Sequence, residues 1–532
     1  MNSKLYNHIS KLLFPCLVFS IITGVISALI VTAFKILSEW VIHFSTFIYG
    51  AVRANPIWLP ALIAGTALIG LIASLALSLS LSCRGGGIPT SIAAIRGMVN
   101  FKWIAGVILL PASALLTFFA GVPLGTEGPC VQMGTAIGDG VIKCIGRDKH
   151  KGWRRYIMTG GASAGFSIAT GSPISAIIFS MEELHKHFSP MILSVASISV
   201  VTAQVTIRAL ASFGIGSVGF FHLPEIQALS PNLFFAPVLI GVICGFSSIL
   251  FSSFYSMVDK LMRLISKKLS IKIIFPVLFA VTALVGFLFS NTLGSGHSLV
   301  DALFVYGAAW YILILTFFVR AILMMISNTS GITGGIFLPT LAFGAIIGAL
   351  CANGMIALGW IGTEHYLAIV VLGIVSFLGA TSRIPLTACI FAVEAMNGID
   401  NILPIILATT IAFLIVEASG LEDLTDTVID SKLHMITKGR KAITIEAPLT
   451  VAKDSFVIGK ELRDILWPNA CVVVSFNSTA NAEEHSIVSE GDIITVRYTT
   501  YNNAATAREF CNLVGPQSEE VIRIMNPPII KT

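Results

Sequence analysis

Ala321-Ile-Leu-Met-Met-Ile-Ser-Asn-Thr-Ser-Gly-Ile-Thr-Gly-Gly-Ile-Phe-Leu-Pro-Thr-Leu-Ala-Phe-Gly344 opens a run that reaches Thr363 without one charged side chain. As a single helix these 43 residues would be about 65 Å long, roughly twice the hydrocarbon thickness of a bilayer. Glycines at 331, 334, 335, 344 and 348 and Pro339 interrupt the run. The chain must therefore double back inside the membrane as shorter helices. Non-helical backbone persists at that depth only where protein buries it or where it lines a cavity. The run implies a site.

The composition of the whole chain agrees with a polytopic membrane protein. Asp, Glu, Lys and Arg make up 11% of 532 residues, against roughly 25% in soluble domains. Hydrophobic residues make up 55% and the mean hydropathy is +0.87. Too little polar surface is left for a soluble enzyme, a disordered scaffold or a secreted disulfide framework. The nine cysteines are scattered without a C-x-x-C pair or metal-ligand spacing and read as reduced, buried thiols. Met1–Lys11 leads into an apolar run from Leu12 without a small-residue cleavage site, which reads as a retained first helix.

The composition changes once, near Gly420. The expected division is a transmembrane domain over 1–420, a linker over 421–445 and a small cytoplasmic domain over 446–532. Two segments, Lys143–Arg155 and Asp259–Lys272, are rich in Lys and Arg with one Asp each and read as cytoplasmic loops. The basic linker puts the C-terminus on the same side, and both termini are expected in the cytoplasm. The net charge of +5 reflects this topology; no nucleic-acid partner is expected.

Two stretches of the first half recur later. Pro173-Ile-Ser-Ala-Ile-Ile-Phe-Ser-Met-Glu182 matches Pro385-Leu-Thr-Ala-Cys-Ile-Phe-Ala-Val-Glu394, residue i against i + 212. Gly125, Pro129, Gly134, Ile137 and Gly138 match Gly335, Pro339, Gly344, Ile347 and Gly348, residue i against i + 210. Paired Gly/Pro-interrupted segments in two halves point to a site at the repeat interface. Identity alone leaves open whether the halves are parallel or inverted.

Three glycine-rich loops each enter an apolar run: Gly85-Gly-Gly-Ile-Pro89, Gly125-Thr-Glu-Gly-Pro129 and Gly334-Gly-Ile-Phe-Leu-Pro339. Proline in the first turn after glycine is a helix-start pattern. Main-chain N–H groups at such a start point outward and carry partial positive charge. Three starts aimed at one point would form a desolvated anion site without a Lys or Arg charge, from which the anion could leave again. Glu127, a lone carboxylate between Gly and Pro, is costly at such a place unless used. Glu183 closes the uncharged run Tyr156–Met181 at a membrane edge. Arg84, Arg96 and Arg320, at the ends of apolar runs, read as snorkelling to the interface.

These three loops resemble the characteristic segments of the CLC family of chloride channels and proton-coupled chloride transporters, whose usual forms are GSGIP, GREGP and GGIFxP. The likeness covers about 400 of the 532 residues. It implies an all-α polytopic membrane domain of about eighteen mostly short helices. These would form two inverted halves, roughly 12–210 and 230–420, in a homodimer with one pore per subunit. It also implies roles. Glu127 would be the gating glutamate and proton carrier, and Glu183 the internal proton relay with Glu182 as its structural partner. The anion would be held around Gly85, Gly86, Gly87 and Ile88, around Gly335, Ile336 and Phe337, and by Thr425. The function implied is exchange of chloride or a related monovalent anion for H⁺ without a cofactor, with a passive anion channel as the alternative. An intramembrane enzyme using Glu127 lacks a second catalytic group in the apolar runs.

Two departures bear on selectivity. Gly86 stands where the family usually has a serine that helps bind chloride, and Thr425 where a tyrosine closes the inner end of the site. In the tail, the order V-I-G-K-E-L-R-D (457–464), V-V-V-S (472–475) and E-G-D-I-I-T-V (490–496) resembles a TrkA-C (RCK C-terminal) domain. It implies a small α+β regulatory module that takes an unknown small-molecule ligand. The expected elements are a strand at Ser455–Gly459, a helix at Lys460–Leu466, strands at Ala470–Ser475 and Gly491–Tyr498, and a last helix near Asn503–Leu513. Gly86→Ser is expected to raise preference for chloride over nitrate in an anion-flux assay; unchanged selectivity would remove this loop from the site.

Overall fold

The computed structural model describes residues 14–526 apart from 86, 100, 147, 216–219, 222–225, 306, 307, 438–441, 454, 469, 470, 478 and 481–484. Among the described residues, nine helices are long and apolar enough to cross a membrane, from the 41-residue Phe14–Ala54 to the 18-residue Ile271–Leu288. Their outward faces carry exposed Trp40, Phe47, Ile108 and Leu250, as lipid contact requires. Several helices are short: Ile88–Ile95 has 8 residues and Pro173–Phe179 has 7. The uncharged run does double back. Helix Trp310–Ser330 ends at Gly331, whose φ of 93° is left-handed, and Phe337–Ala357 starts after the Gly334–Ile336 loop.

The sequence repeat is a repeat of contacts. Gly125 and Gly335 exchange main-chain hydrogen bonds, N–H to C=O at 2.7 Å and 2.8 Å. The second pair is a mutual cap. Glu394 accepts from the N–H groups of Ile174 and Ser175, both at 2.8 Å. Glu182 accepts from the N–H groups of Leu386 at 3.0 Å and Thr387 at 2.7 Å. Each carboxylate satisfies the orphan donors at the start of the other half's helix and sits at the positive end of its dipole. Residue and partner exchange places under i + 212, as a pseudo-two-fold requires. The Phe337–Ala357 helix packs through glycine: a Cβ at Gly348 would lie 2.8 Å from Val370 Cα, so only hydrogen fits there.

The segment 421–437, expected as linker, contains helix Leu424–Thr437. Its Leu424, Val428, Ile429 and Leu433 are buried in the membrane domain's core. Apolar residues every three or four positions give it a face to bury, which charge counting overlooked.

The tail has a separate core running from Ile445 to Met525. Its sheet has the order β1–β4–β2–β3, with β1 Ile443–Thr450, β2 Val472–Phe476, β3 Thr479–Ala480 and β4 Ile493–Thr500. Helices Asn503–Val514 and Glu519–Met525 follow. Ser455–Gly459 and Lys460–Leu466 form turns with one 3₁₀ segment, Leu462–Asp464, because this stretch is spent on docking. Phe456 packs against Trp153 and Tyr156 at ring centroid separations of 5.4 Å and 5.9 Å. Arg155 donates to Leu466 O at 3.0 Å and pairs with Glu509, which also takes Arg154 at 2.9 Å. The basic Lys143–Arg155 loop is therefore the tail's platform.

Lys460 is 6% exposed, with its ammonium 5.4 Å from the Trp153 ring centroid and no hydrogen-bond partner among the described residues. Burial holds its pKa well below the ordinary lysine range. As pH falls below about 10.4, the undocked lysine takes a proton that the docked one resists, so docking weakens toward neutral pH. Lys460→Met should abolish that dependence and tighten docking at pH 7, read by hydrogen exchange at 455–466. An unchanged pH dependence in the variant would refute it. Glu394→Ala should cost about 2 kcal/mol, the size of a charge-assisted hydrogen bond left unmade, and lower the melting temperature in detergent; a melt equal to wild type would show the mutual cap contributes nothing.

Candidate anion site

The three glycine-rich loops converge on one point. Helix Ile88–Ile95 begins after Gly87, helix Glu127–Ile145 after Thr126 and helix Phe337–Ala357 after Ile336. A cavity of about 10 Å³ lies between them, room for about one water-sized particle. Gly87, Ile88, Gly128, Gly335 and Ile336 line it from these loops, and Asn328, Val428 and Lys432 from other elements. Of the residues expected to hold the anion, Gly87, Ile88, Gly335 and Ile336 are thus together. Phe337 adjoins the liner Ile336 in sequence, Gly85 is two residues before the liner Gly87, Gly86 lies outside the described residues, and Thr425 is not among the lining residues.

Several of the expected donors are already engaged. The N–H of Gly85 donates to Gly331 O at 2.7 Å, that of Gly335 to Gly125 O at 2.8 Å, and that of Gly87 to Gln132 Oε1 at 2.6 Å. Gln132 in turn donates to Ser82 O at 2.9 Å. These bonds hold the loops in position. Pro89 and Pro339 have no N–H to give. Among the donors left at the helix starts are those of Ile88, Gly128, Ile336 and Phe337, at the helix ends where no intrahelical acceptor exists. The Phe337 ring packs edge-on against Phe166 at 5.1 Å and Phe391 at 5.7 Å, which fixes that start.

Glu127 is 1% exposed. Thr126 Oγ1 donates to its Oε1 at 3.0 Å, while Oε2 has no hydrogen-bond partner among the described residues. The carboxylate folds back over Gly125, where an added Cβ would collide with Oε2. It is one residue from Gly128, which lines the cavity.

Glu183 sits in a π-turn, Ser180–His185, that closes the Pro173–Phe179 helix. Such turns are frequent at functional positions. The residue is 3% exposed; Thr425 Oγ1 donates to its Oε1 at 2.6 Å, and Oε2 has no hydrogen-bond partner among the described residues. Thr425, expected at the anion, is therefore turned to the second glutamate. Lys186 does not pair with Glu183: it reaches Asp423 at 3.0 Å and Asp426 at 2.7 Å. Glu182 caps the opposite half, as described above.

Reading the sequence missed three side chains of the cavity, Asn328, Val428 and Lys432. Lys432 donates from Nζ to Gly85 O and lies 3.4 Å from Thr90 Oγ1. Leu424, Val428 and Lys432 recur every four residues on one helix face, the only sequence signal for it. Asn328 is held by Tyr255, whose hydroxyl donates to Oδ1 at 2.7 Å. Arg320 does not snorkel: it is fully buried and donates to Gly294 O at 2.7 Å. Between tail and membrane domain lies a second cavity of about 540 Å³, with Arg96, Arg155, His185, His187, Arg463 and Trp467 in its wall.

Comparison with known proteins agrees with this architecture. The H(+)/Cl(-) exchange transporter ClcA of Vibrio cholerae serotype O1 (strain M66-2) is 26% identical over 445 residues, covering 80% of this chain and 91% of the relative. ClcA of Yersinia pestis bv. Antiqua (strain Angola) is 26% identical over 444 residues, covering 81% and 91%. Among solved structures, a slow cyanobacterial Cl⁻/H⁺ antiporter superposes with a TM-score of 0.72 at 20% identity, over 79% of this chain and 98% of that one. A CLC-type fluoride/proton antiporter gives 0.65 at 20% identity, over 76% and 96%. The model of the voltage gated chloride channel family matches residues 65–417, and with two-thirds of its length so matched the chain belongs to that family.

Proposed function

We propose that this protein exchanges a monovalent anion, chloride or a close relative, for H⁺, with Glu127 as gate and proton carrier and Glu183 as the internal proton relay. The observation that carries the reading is the placement of Glu127: buried, with one carboxylate oxygen unpartnered, at the start of a helix whose next residue lines a one-particle cavity. A buried carboxylate with an unmade bond is unstable as an anion in apolar surroundings and is poised either to take a proton or to move toward donors. The helix starts at Ile88 and Ile336 offer those donors. Ionised, Glu127 competes with a free anion for them; protonated, it yields. Glu183 has the same character, buried with one hydroxyl donor and one oxygen unpartnered among the described residues. Two separated buried acids suit a proton taken in steps. The names of the ClcA relatives, which denote exchange of H⁺ for Cl⁻, support exchange over passive conduction.

The assembly we propose is a homodimer joined through the half-to-half cap. Ile174 and Leu386 are 55% and 44% exposed although the N–H groups there are bonded to buried-type carboxylate caps. Lipid against such ionised groups is costly, whereas a second copy would cover them. The lipid bilayer around it would be the plasma membrane, the inner membrane if the cell is prokaryotic, with both termini in the cytoplasm. The tail is a regulatory module, and its small-molecule ligand would occupy the 540 Å³ cavity with its basic wall. Transport needs no cofactor and no catalysis of bond breaking.

Glu127→Gln should reduce chloride-driven proton uptake in proteoliposomes to background while anion flux persists. Proton uptake that survives would disprove the gate. Glu183→Gln should lower proton flux by about tenfold or more and spare anion flux, because only the inner relay is lost. Equal loss of both fluxes would instead make Glu183 a structural acid. Simultaneous recording of chloride and pH in one vesicle preparation reads both variants.

A further inference from the structure

We infer that Lys432 is an anion-binding residue, so that the transported ion rests against a cation as well as against helix ends. The inference rests on the exchange reading for the location of the site. Lys432 is 3% exposed and lines the cavity with Gly87, Gly335 and Ile336. Its Nζ donates to Gly85 O, and Thr90 Oγ1 lies at 3.4 Å. An ammonium has three N–H donors, so one remains. No carboxylate lies within 4.0 Å of Nζ among the described residues; every described ion pair of this region involves other cations. A buried cation left without a counter-charge is strongly destabilising. The structure nevertheless puts it at the wall of a cavity of about 10 Å³. A small anion in that cavity supplies the missing charge.

The placement also accounts for two donors that the site lacks. Gly86 has no hydroxyl, and the Thr425 hydroxyl is committed to Glu183 at 2.6 Å. Lys432 brings a donor and a full charge from the same helix that carries Thr425. Asn328 adds a second side chain: its Oδ1 accepts from Tyr255, which leaves the amide nitrogen as the group still able to donate. The ligand class follows. A compact point charge with a single-particle cavity suits a monoatomic halide better than a planar oxyanion, which a guanidinium fork would match.

The test uses the full chain in proteoliposomes, reading anion flux against chloride and nitrate concentration for wild type, Lys432→Met, Lys432→Gln and Lys432→Arg. Met removes the charge, Gln removes it but can still donate to Gly85, and Arg keeps it in a different shape. Met and Gln should each raise the chloride half-saturation by about tenfold or more, equivalent to about 1.4 kcal/mol. Arg should hold chloride but shift preference toward nitrate by about threefold or more. A Gln variant that binds chloride like wild type would overturn the inference, since anchoring of Gly85 would then be the whole role. If both neutral variants fail to fold, as judged by melting in detergent, the Arg variant decides, and an unchanged chloride-to-nitrate preference overturns the inference. Wild-type anion flux without proton movement would instead sink the exchange reading and leave the half-saturation test standing.

Discussion

The two hydrogen bonds between Gly125 and Gly335 are the constraint around which the membrane domain is arranged. They tie the two halves together at the point where each half's helix begins, and they consume one donor and one acceptor from each loop. Because those groups are used, the next donors along, not these, are left to face a ligand. Neither position admits a side chain. A Cβ at Gly335 would lie 2.7 Å from Gly128 N, and one at Gly125 would displace the Glu127 carboxylate. The bridge, the Glu127 carboxylate and the cavity are therefore one steric unit, in which a single methyl group would disturb all three.

The mutual cap does the same work farther out. Glu182 and Glu394 each neutralise the start of a helix in the opposite half, so the halves cannot slide without exposing main-chain donors and two carboxylates together. This explains why the repeat was legible. A contact made across a two-fold demands the same residue types twice, and the demand falls on glycine, proline and glutamate, which stand out in an apolar sequence. The broken helix around Gly331–Ile336 was legible for a different reason: 43 uncharged residues exceed what a bilayer can hold as one helix.

What remained hidden is long-range. Lys432 lies 347 residues from the Gly85 carbonyl it meets, in a segment whose charges resembled a linker. Thr425 sits where the resemblance placed an anion ligand, yet its hydroxyl is held by Glu183, 242 residues away. Asn328 carries no charge and was lost within the apolar run. Local pattern gave none of these partners, because position on the chain does not determine which surface a side chain meets once helices cross. In the tail, Lys460–Leu466 had helical composition, but its main-chain and side-chain groups are taken by Tyr156, Arg155 and Ser189 of the membrane domain, and docking overrides propensity.

The helix Leu424–Thr437 brings these strands together. Near its first turn Asp423 and Asp426 hold Lys186, and Thr425 holds Glu183; about one and two turns on, Val428 and Lys432 form one wall of the cavity. Thr425, the hydroxyl donor to Glu183, and Lys432, in the cavity wall, are thus carried on one helix, about 10 Å apart along its axis at 1.5 Å per residue. A few residues beyond its end the chain enters β1 of the tail at Ile443. The tail itself is anchored on Arg154, Arg155 and Tyr156, at the start of the helix that packs against the Glu127 helix through Gly134 and Gly161. The Glu127 helix therefore packs directly on the helix that anchors the soluble module, and Glu183 is bonded to the helix that precedes that module in the chain. A soluble domain held at two such points constrains the geometry of the site more than a domain on a free linker could.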